Sequence, residues 1–305
     1  MLMDVLTKPD VLTPLDREVI DARLKGCPRL PSLGSISYAL RELLDADQRY
    51  TSQISDVIRR DPSLTARLLR LVNSVYYGIT TPVKSIEEAV FYLGVRQIRQ
   101  LAMVTPVIED FQRLAGNCPF PWREFWQHCI GTALLTGEVI ASTQALPDES
   151  DYVAGLVHDV GKIAMAAAFP QHFAEIQRRL GAGEGDLITL ETQVLGIGHP
   201  DLGALYLQAH NLPSALVEVA QFHHRPERAA QHSPVVAAVQ IADLLARHAG
   251  IGVSGNPQPV SAEDWLDATG WSILFPKPGD SEKAIARANL RGYLERLPSI
   301  LEGLV

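Results

Sequence analysis

The chain has three cysteines, Cys27, Cys118 and Cys129, and no two of them stand at a disulfide-framework or metal-binding spacing. An odd, scattered set fits a reducing compartment and argues against a disulfide scaffold. Long apolar runs are also missing. The purest, Ile163 to Phe169, is far too short to span a bilayer. Met1 to Val5 shows no basic region followed by an apolar stretch, so no signal peptide is expected. A cytoplasmic location with no membrane contact is the resulting expectation. There is no excess of positive charge: the formal net charge is -8, which repels nucleic acid and anionic lipid at long range. Alternating apolar and polar stretches, Asn-Gly hairpin signals and fixed-period repeats are absent as well, which removes the usual marks of strands and of solenoids.

What the chain does contain is apolar residues at helical spacing. With 305 residues, 47% of them hydrophobic and 20% charged, it has the composition of a globular protein with one large or two ordinary domains. Leu64, Leu68, Leu71 and Val72 follow the i, i+4, i+7, i+8 pattern of a buried stripe, with Asp61 as N-cap and Pro62 in the first turn. Ser85 and Glu88 have capping-box spacing, and Gly94 stands where that helix would close. Trp122 to Ala141, Pro170 to Leu180, Pro213 to Phe222, Pro234 to His248 and a stretch around Ala284 to Leu301 read as further helices. The fold class is all-α. Asn117-Cys118-Pro119-Phe120-Pro121 and the loop-like Gly250 to Pro259 divide the chain, and the tail after them carries Trp265 and Trp271.

The segment Leu156-Val157-His158-Asp159-Val160-Gly161-Lys162 sets an imidazole beside a carboxylate. His128, His199, the adjacent His223 and His224, and Asp243 are further candidate ligands. Nitrogen and oxygen donors without thiolate suit Fe, Mn, Ni or Zn. Asp243 lies among Ile241, Ala242, Leu244 and Leu245, on a helix where an unpaired carboxylate would be costly to bury. A solitary histidine in an apolar helix is more often structural than a ligand. That plainer reading is kept for His172, His210, His232 and His248.

Several of these stretches together resemble the HDOD domain family. In the first half they are Leu30-Pro31-Ser32-Leu33, Asp61 to Ser74, Tyr76-Tyr77-Gly78 and Ser85 to Val90 leading to Leu93-Gly94. In the second half they are Gly155 to Lys162, Gly198-His199-Pro200-Asp201-Leu202-Gly203, Asn211-Leu212-Pro213 and His223-His224-Arg225-Pro226. The resemblance implies an all-helical fold of the HD superfamily. Residues 28–248 would be the HDOD domain, with a helical half at 28–116 packed on an HD-like half at 120–248. A helical extension at 1–27 and a helical tail at 259–305 would flank it. It also implies a bacterial regulatory or signal-transduction role with signalling proteins as partners, since HDOD proteins are generally regarded as non-catalytic.

The ligand set resembles that of the HD-GYP phosphodiesterases more fully than many HDOD domains do. By that resemblance His128, His158, Asp159, His199, His223, His224 and Asp243 would hold one or two metal ions, with Asp159 as a bridge. Asp159 and Lys162 would be the catalytic candidates, Lys162 meeting the phosphate of a phosphorylated small molecule. The chain departs from that family after the double His, where it reads Arg225-Pro226-Glu227-Arg228 instead of containing Gly-Tyr-Pro. Hydrolysis of cyclic di-GMP is therefore not expected. The alternative reading is an active metal-dependent phosphohydrolase acting on a nucleotide or cyclic nucleotide. A third, weaker one is nucleic-acid binding through Arg59, Arg60, Arg67, Arg70, Arg96 and Arg99, which the plainer reading makes the solvated sides of amphipathic helices.

Overall fold

A computed structural model describes residues 12–27, 118–143, 149–277 and 281–302, with isolated positions between 69 and 94. Among the described residues every regular element is a helix, as the periodicity predicts. The Leu64/Leu68/Leu71 stripe, the six arginines and the packing of residues 28–116 on the second half lie outside them. Within that stretch Val72 is fully buried. Ser85 Oγ accepts from Glu88 N at 3.2 Å, the first arm of the expected capping box, while the Glu88 carboxylate reaches Lys84 N at 3.4 Å.

The centre of the molecule is α2 (Trp122–Ala141), which buries residues on all of its faces, including His128, Thr132 and Thr136. A helix that is apolar nearly all round belongs inside a bundle. It packs most extensively against α9 (Ser233–His248) and α3 (Glu149–Val157). The chain then runs through α4 (Val160–Ala168), α5 (Pro170–Gly181), α6 (Leu187–Leu195), α7 (His199–Ala209) and α8 (Ser214–Phe222). The preceding α1 (Arg17–Gly26) rests on α7 and α4. The observed bounds match the expected starts and stops within a residue for α2, α5, α8 and α9.

Local chemistry explains the ends that matter to the site. Asp186 caps α6, accepting from Thr189 N at 3.0 Å, and Gly196, with φ 98°, closes it. Pro200 sits in the first turn of α7, where no amide partner is lost. Gly161 on α4 lies directly on the first turn of α7. A Cβ there would collide with the His199 carbonyl oxygen and meet Gly203 N at 2.8 Å. This close approach draws the segment after Asp159 onto the segment that opens with His199.

The tail is part of the core. After α9 come α10 (Ala262–Leu266), α11 (Gly270–Leu274), α12 (Ser281–Leu294) and α13 (Leu297–Glu302). Trp265 and Trp271 are 2% and 1% exposed, and Trp271 Nε1 donates to Trp265 O at 2.7 Å. The guanidinium groups of Arg291 and Arg287 lie over those rings at 5.7 and 5.2 Å from their centroids. Among the described residues no helix is long and apolar enough to cross a membrane.

Candidate metal centre

The seven expected ligands converge, although they come from five places in the chain. His128 projects from the middle of α2, and His158 and Asp159 occupy the turn between α3 and α4. His199 is the first residue of α7, His223 and His224 follow α8, and Asp243 sits on α9. Six are buried, and His224 is half-buried at the edge. Asp159 stands between two groups. Its Oδ2 lies 3.4 Å from His158 Nε2, and its Oδ1 lies 3.4 Å from His199 Nε2 and 3.7 Å from His223 Nε2. On the first side Asp243 Oδ1 is 3.1 Å from His128 Nε2 and 3.9 Å from His158 Nε2. On the second, His199 Nε2 and His224 Nε2 are 3.2 Å apart. Two triplets are compact enough to hold an ion: His128, His158, Asp159 and His199, His223, His224.

Three of the imidazoles are held by their outer nitrogens. His158 Nδ1 lies 2.7 Å from Gly155 O, and His223 Nδ1 lies 2.9 Å from Ala220 O. A carbonyl oxygen can only accept, so both rings carry a proton on Nδ1 and turn Nε2 inward. His199 Nδ1 is bound by the Glu191 carboxylate at 2.8 Å, and the same carboxylate accepts from His199 N at 2.8 Å. The inward nitrogens of His158 and His223 and Asp159 Oδ1 have no hydrogen-bond partner. His223, which burial holds neutral, thus turns an unpaired Nε2 lone pair toward the unpaired Oδ1 of Asp159. Such a set is costly unless a cation satisfies it. The donors are imidazole and carboxylate, which suits a first-row divalent metal.

Electrostatics follow the same pattern. Burial, reinforced by His224 and His158, holds His223 well below the ordinary imidazole range, and burial pushes His224 down to about 3. Burial also lowers His128. His158 goes the other way, because Asp159 and Asp243 outweigh its burial. Burial alone would raise both carboxyls. Lys162 and His158 overcome it at Asp159, and His128 overcomes it at Asp243, so both stay below the usual carboxylate range.

Glu191 was not anticipated. Its only trace in the sequence is an acid on an apolar stripe, since Leu187, Leu190, Val194 and Leu195 share its buried face. An acid at such a position eight residues before a ligand His is the signal that would have found it. Lys162, expected to meet a phosphate, lies within the cluster beside Asp159. It is 4% exposed, and its ammonium donates to Asp159 Oδ2 at 2.6 Å and to Ser254 O at 2.9 Å. Gln240 links His224 O, at 3.2 Å, to Gly270 N in the tail, at 2.8 Å. His172, His232 and His248 lie away from the cluster, as the plainer reading has it. His232 Nε2 meets Ser214 Oγ at 3.0 Å and His248 Nδ1 meets Val260 O at 3.0 Å.

Comparison with known proteins agrees with the helical fold. The HDOD domain family model matches residues 30–226. An uncharacterised protein of Treponema pallidum (strain Nichols) is 27% identical over 242 residues, which is 77% of this chain and 45% of that protein. The chain therefore spans about half the length of that relative. An HDOD domain protein of unknown function from Geobacter sulfurreducens superposes with a TM-score of 0.77 at 22% identity, covering 95% of this chain and 99% of that one. A candidate phosphohydrolase from Shewanella amazonensis SB2B superposes with a TM-score of 0.65 at 23% identity, covering 94% and 98%. A candidate signal-transduction protein from Marinobacter aquaeolei VT8 gives 0.67 at 19% identity, covering 96% and 67%.

Proposed function

The chain belongs to the HDOD family, and from that premise we propose that it is a bacterial signal-transduction protein that retains a metal centre of the HD type. The observation that carries the reading is the inward-facing donor set. His158 and His223 turn their Nε2 atoms onto Asp159, and His199, His128, His224 and Asp243 close the ring around it. His128, His158, Asp159 and Asp243 would hold one ion, and His199, His223 and His224 with Asp159 a second. When bound, such an ion supplies a Lewis acid at the site. The chain's own groups orient the ligands, keep most of the site from water, and leave half-buried His224 as the approach from solvent.

Phosphohydrolase activity is the second reading. The fold is shared with a candidate phosphohydrolase, and two ligand groups flank one carboxylate. Against it stands the ammonium of Lys162, already engaged by Asp159 Oδ2 and Ser254 O. Elemental analysis of the purified protein, joined to a phosphodiesterase and phosphomonoesterase screen, tests both. Bound Fe, Mn, Ni or Zn with a blank screen is the expected result. Cleavage of a cyclic dinucleotide at about 1 per second or faster, an ordinary enzymatic rate, abolished in Asp159→Ala, would make the protein an enzyme. Absence of any bound metal after reconstitution would remove the metal centre from the proposal.

A further inference from the structure

The segment leaving α9 falls outside the residues matched by the family, 30–226, yet it lies against the centre. Ile251, 6% exposed, is seated over Gly131 of α2. Val253 N donates to Glu124 O at 2.9 Å. Gly252, with φ +61°, packs on the backbone that carries His128: a Cβ there would collide with Glu124 O and lie 2.5 Å from His128 N. Ser254 follows, 5% exposed, its Oγ accepting from Asn256 N at 3.2 Å. Its carbonyl receives Lys162 Nζ at 2.9 Å, and the same ammonium holds Asp159 Oδ2 at 2.6 Å.

We propose that Lys162 is a positioning residue, and that with residues 251–254 it sets the orientation of Asp159 and His128, making this segment a wall of the metal centre. The inference rests on the metal-centre reading. A lysine is a point charge on a flexible stem and by itself locates a carboxylate poorly. Here the ammonium is held at a second corner by Ser254 O, and Ser254 is held in turn by the fit of Gly252 on α2. The plane of the Asp159 carboxylate decides which oxygen faces His158 and which faces His199 and His223. Its orientation therefore depends on a carbonyl 92 residues beyond Lys162. Burial of the ammonium keeps it from serving as an open phosphate site.

The test uses the full chain and Co2+ alone as probe, read by its binding isotherm and by its visible absorption, which reports the ligand field. Gly252→Ala changes no charge and no candidate ligand. It is expected to weaken Co2+ binding about 10- to 100-fold, the usual effect of losing an outer partner of a metal ligand. Its visible spectrum should change while far-UV circular dichroism does not. Lys162→Met should give the same spectral change, with partial recovery in Lys162→Arg, which keeps two donors. If Lys162→Met fails to fold, Gly252→Ala carries the test. Folded variants with the wild-type spectrum overturn the inference and leave the metal centre standing, whatever their affinity. A wild-type protein that does not bind Co2+ overturns both.

Discussion

At Asp159 the two oxygens face different partners, Oδ2 toward His158 and Lys162, Oδ1 toward His199 and His223. Each neighbour is itself anchored from behind, and Glu191 is the most strongly bound of these anchors. Glu191→Ala is expected to free the His199 ring and weaken metal binding about 10- to 100-fold, measured by chelator competition. Unchanged affinity would show that Glu191 only packs. A pH prediction belongs to the metal-free protein. His223 and His224 have folded pKa values depressed below 6.5, His224 to about 3. The unfolded chain binds those protons first, so their contribution is complete above about 6.5 and is lost as pH falls toward 3. His158, shifted upward, opposes this in part. Urea midpoints at constant ionic strength should fall steadily from pH 6.5 to 4. A flat profile over that window would mean the two imidazoles are not held neutral by the fold.

Among the elements, the crossing of α4 and α7 carries the most consequence for the site. Gly161 makes the crossing close enough for Asp159 and His199 to share one centre. Gly161→Ala would press a methyl group into the His199 carbonyl. The expected cost is about 1–3 kcal/mol, as for other overpacked positions, together with loss of metal binding. Chemical denaturation and metal analysis measure the two effects separately. If stability falls while metal is retained, the crossing is not what brings Asp159 to His199. By contrast, the surface pairs of Arg178 and the half-buried Arg179 with half-buried Glu175 on α5 should matter little. Glu175→Gln is expected to cost less than about 1 kcal/mol, the range of surface ion pairs.

For the whole molecule, the tail is the part whose importance the sequence understated. Trp265 and Trp271 are buried against the bundle, and α12 and α13 rest on α2. Removing residues 259–305 takes away both tryptophans and exposes the apolar bundle surface they cover, a loss of roughly several kcal/mol in burial. The thermal midpoint of the truncated chain is expected to fall by at least about 10 °C, read by circular dichroism. A shift of only a few degrees would mark the tail as an appendage. Gln240, bonded both to His224 O and to Gly270 N, also ties the tail to the double His.

Helical periodicity, capping residues and prolines determined the all-helical class and the bounds of α2, α5, α8 and α9, because these signals act within a few residues of where they are written. The converging set of candidate ligands was also legible, since the His-Asp pair, the double His and the single His and Asp residues are chemically distinctive and stand in a recognisable order. Tertiary structure alone decided the rest. Glu191, Ser254 and Gln240 act through contacts whose partners lie 8, 92 and 30 residues away in the chain, respectively. Nothing local distinguishes Ser254 from a loop serine or Gln240 from a helical amide, and Glu191 is marked only by its place on an apolar stripe. The direction of the Lys162 ammonium was likewise beyond a motif, because it depends on which neighbour fills the space beside Asp159. Burial of the site requires α2, α4, α7 and α9 to meet, and only the folded chain makes that meeting.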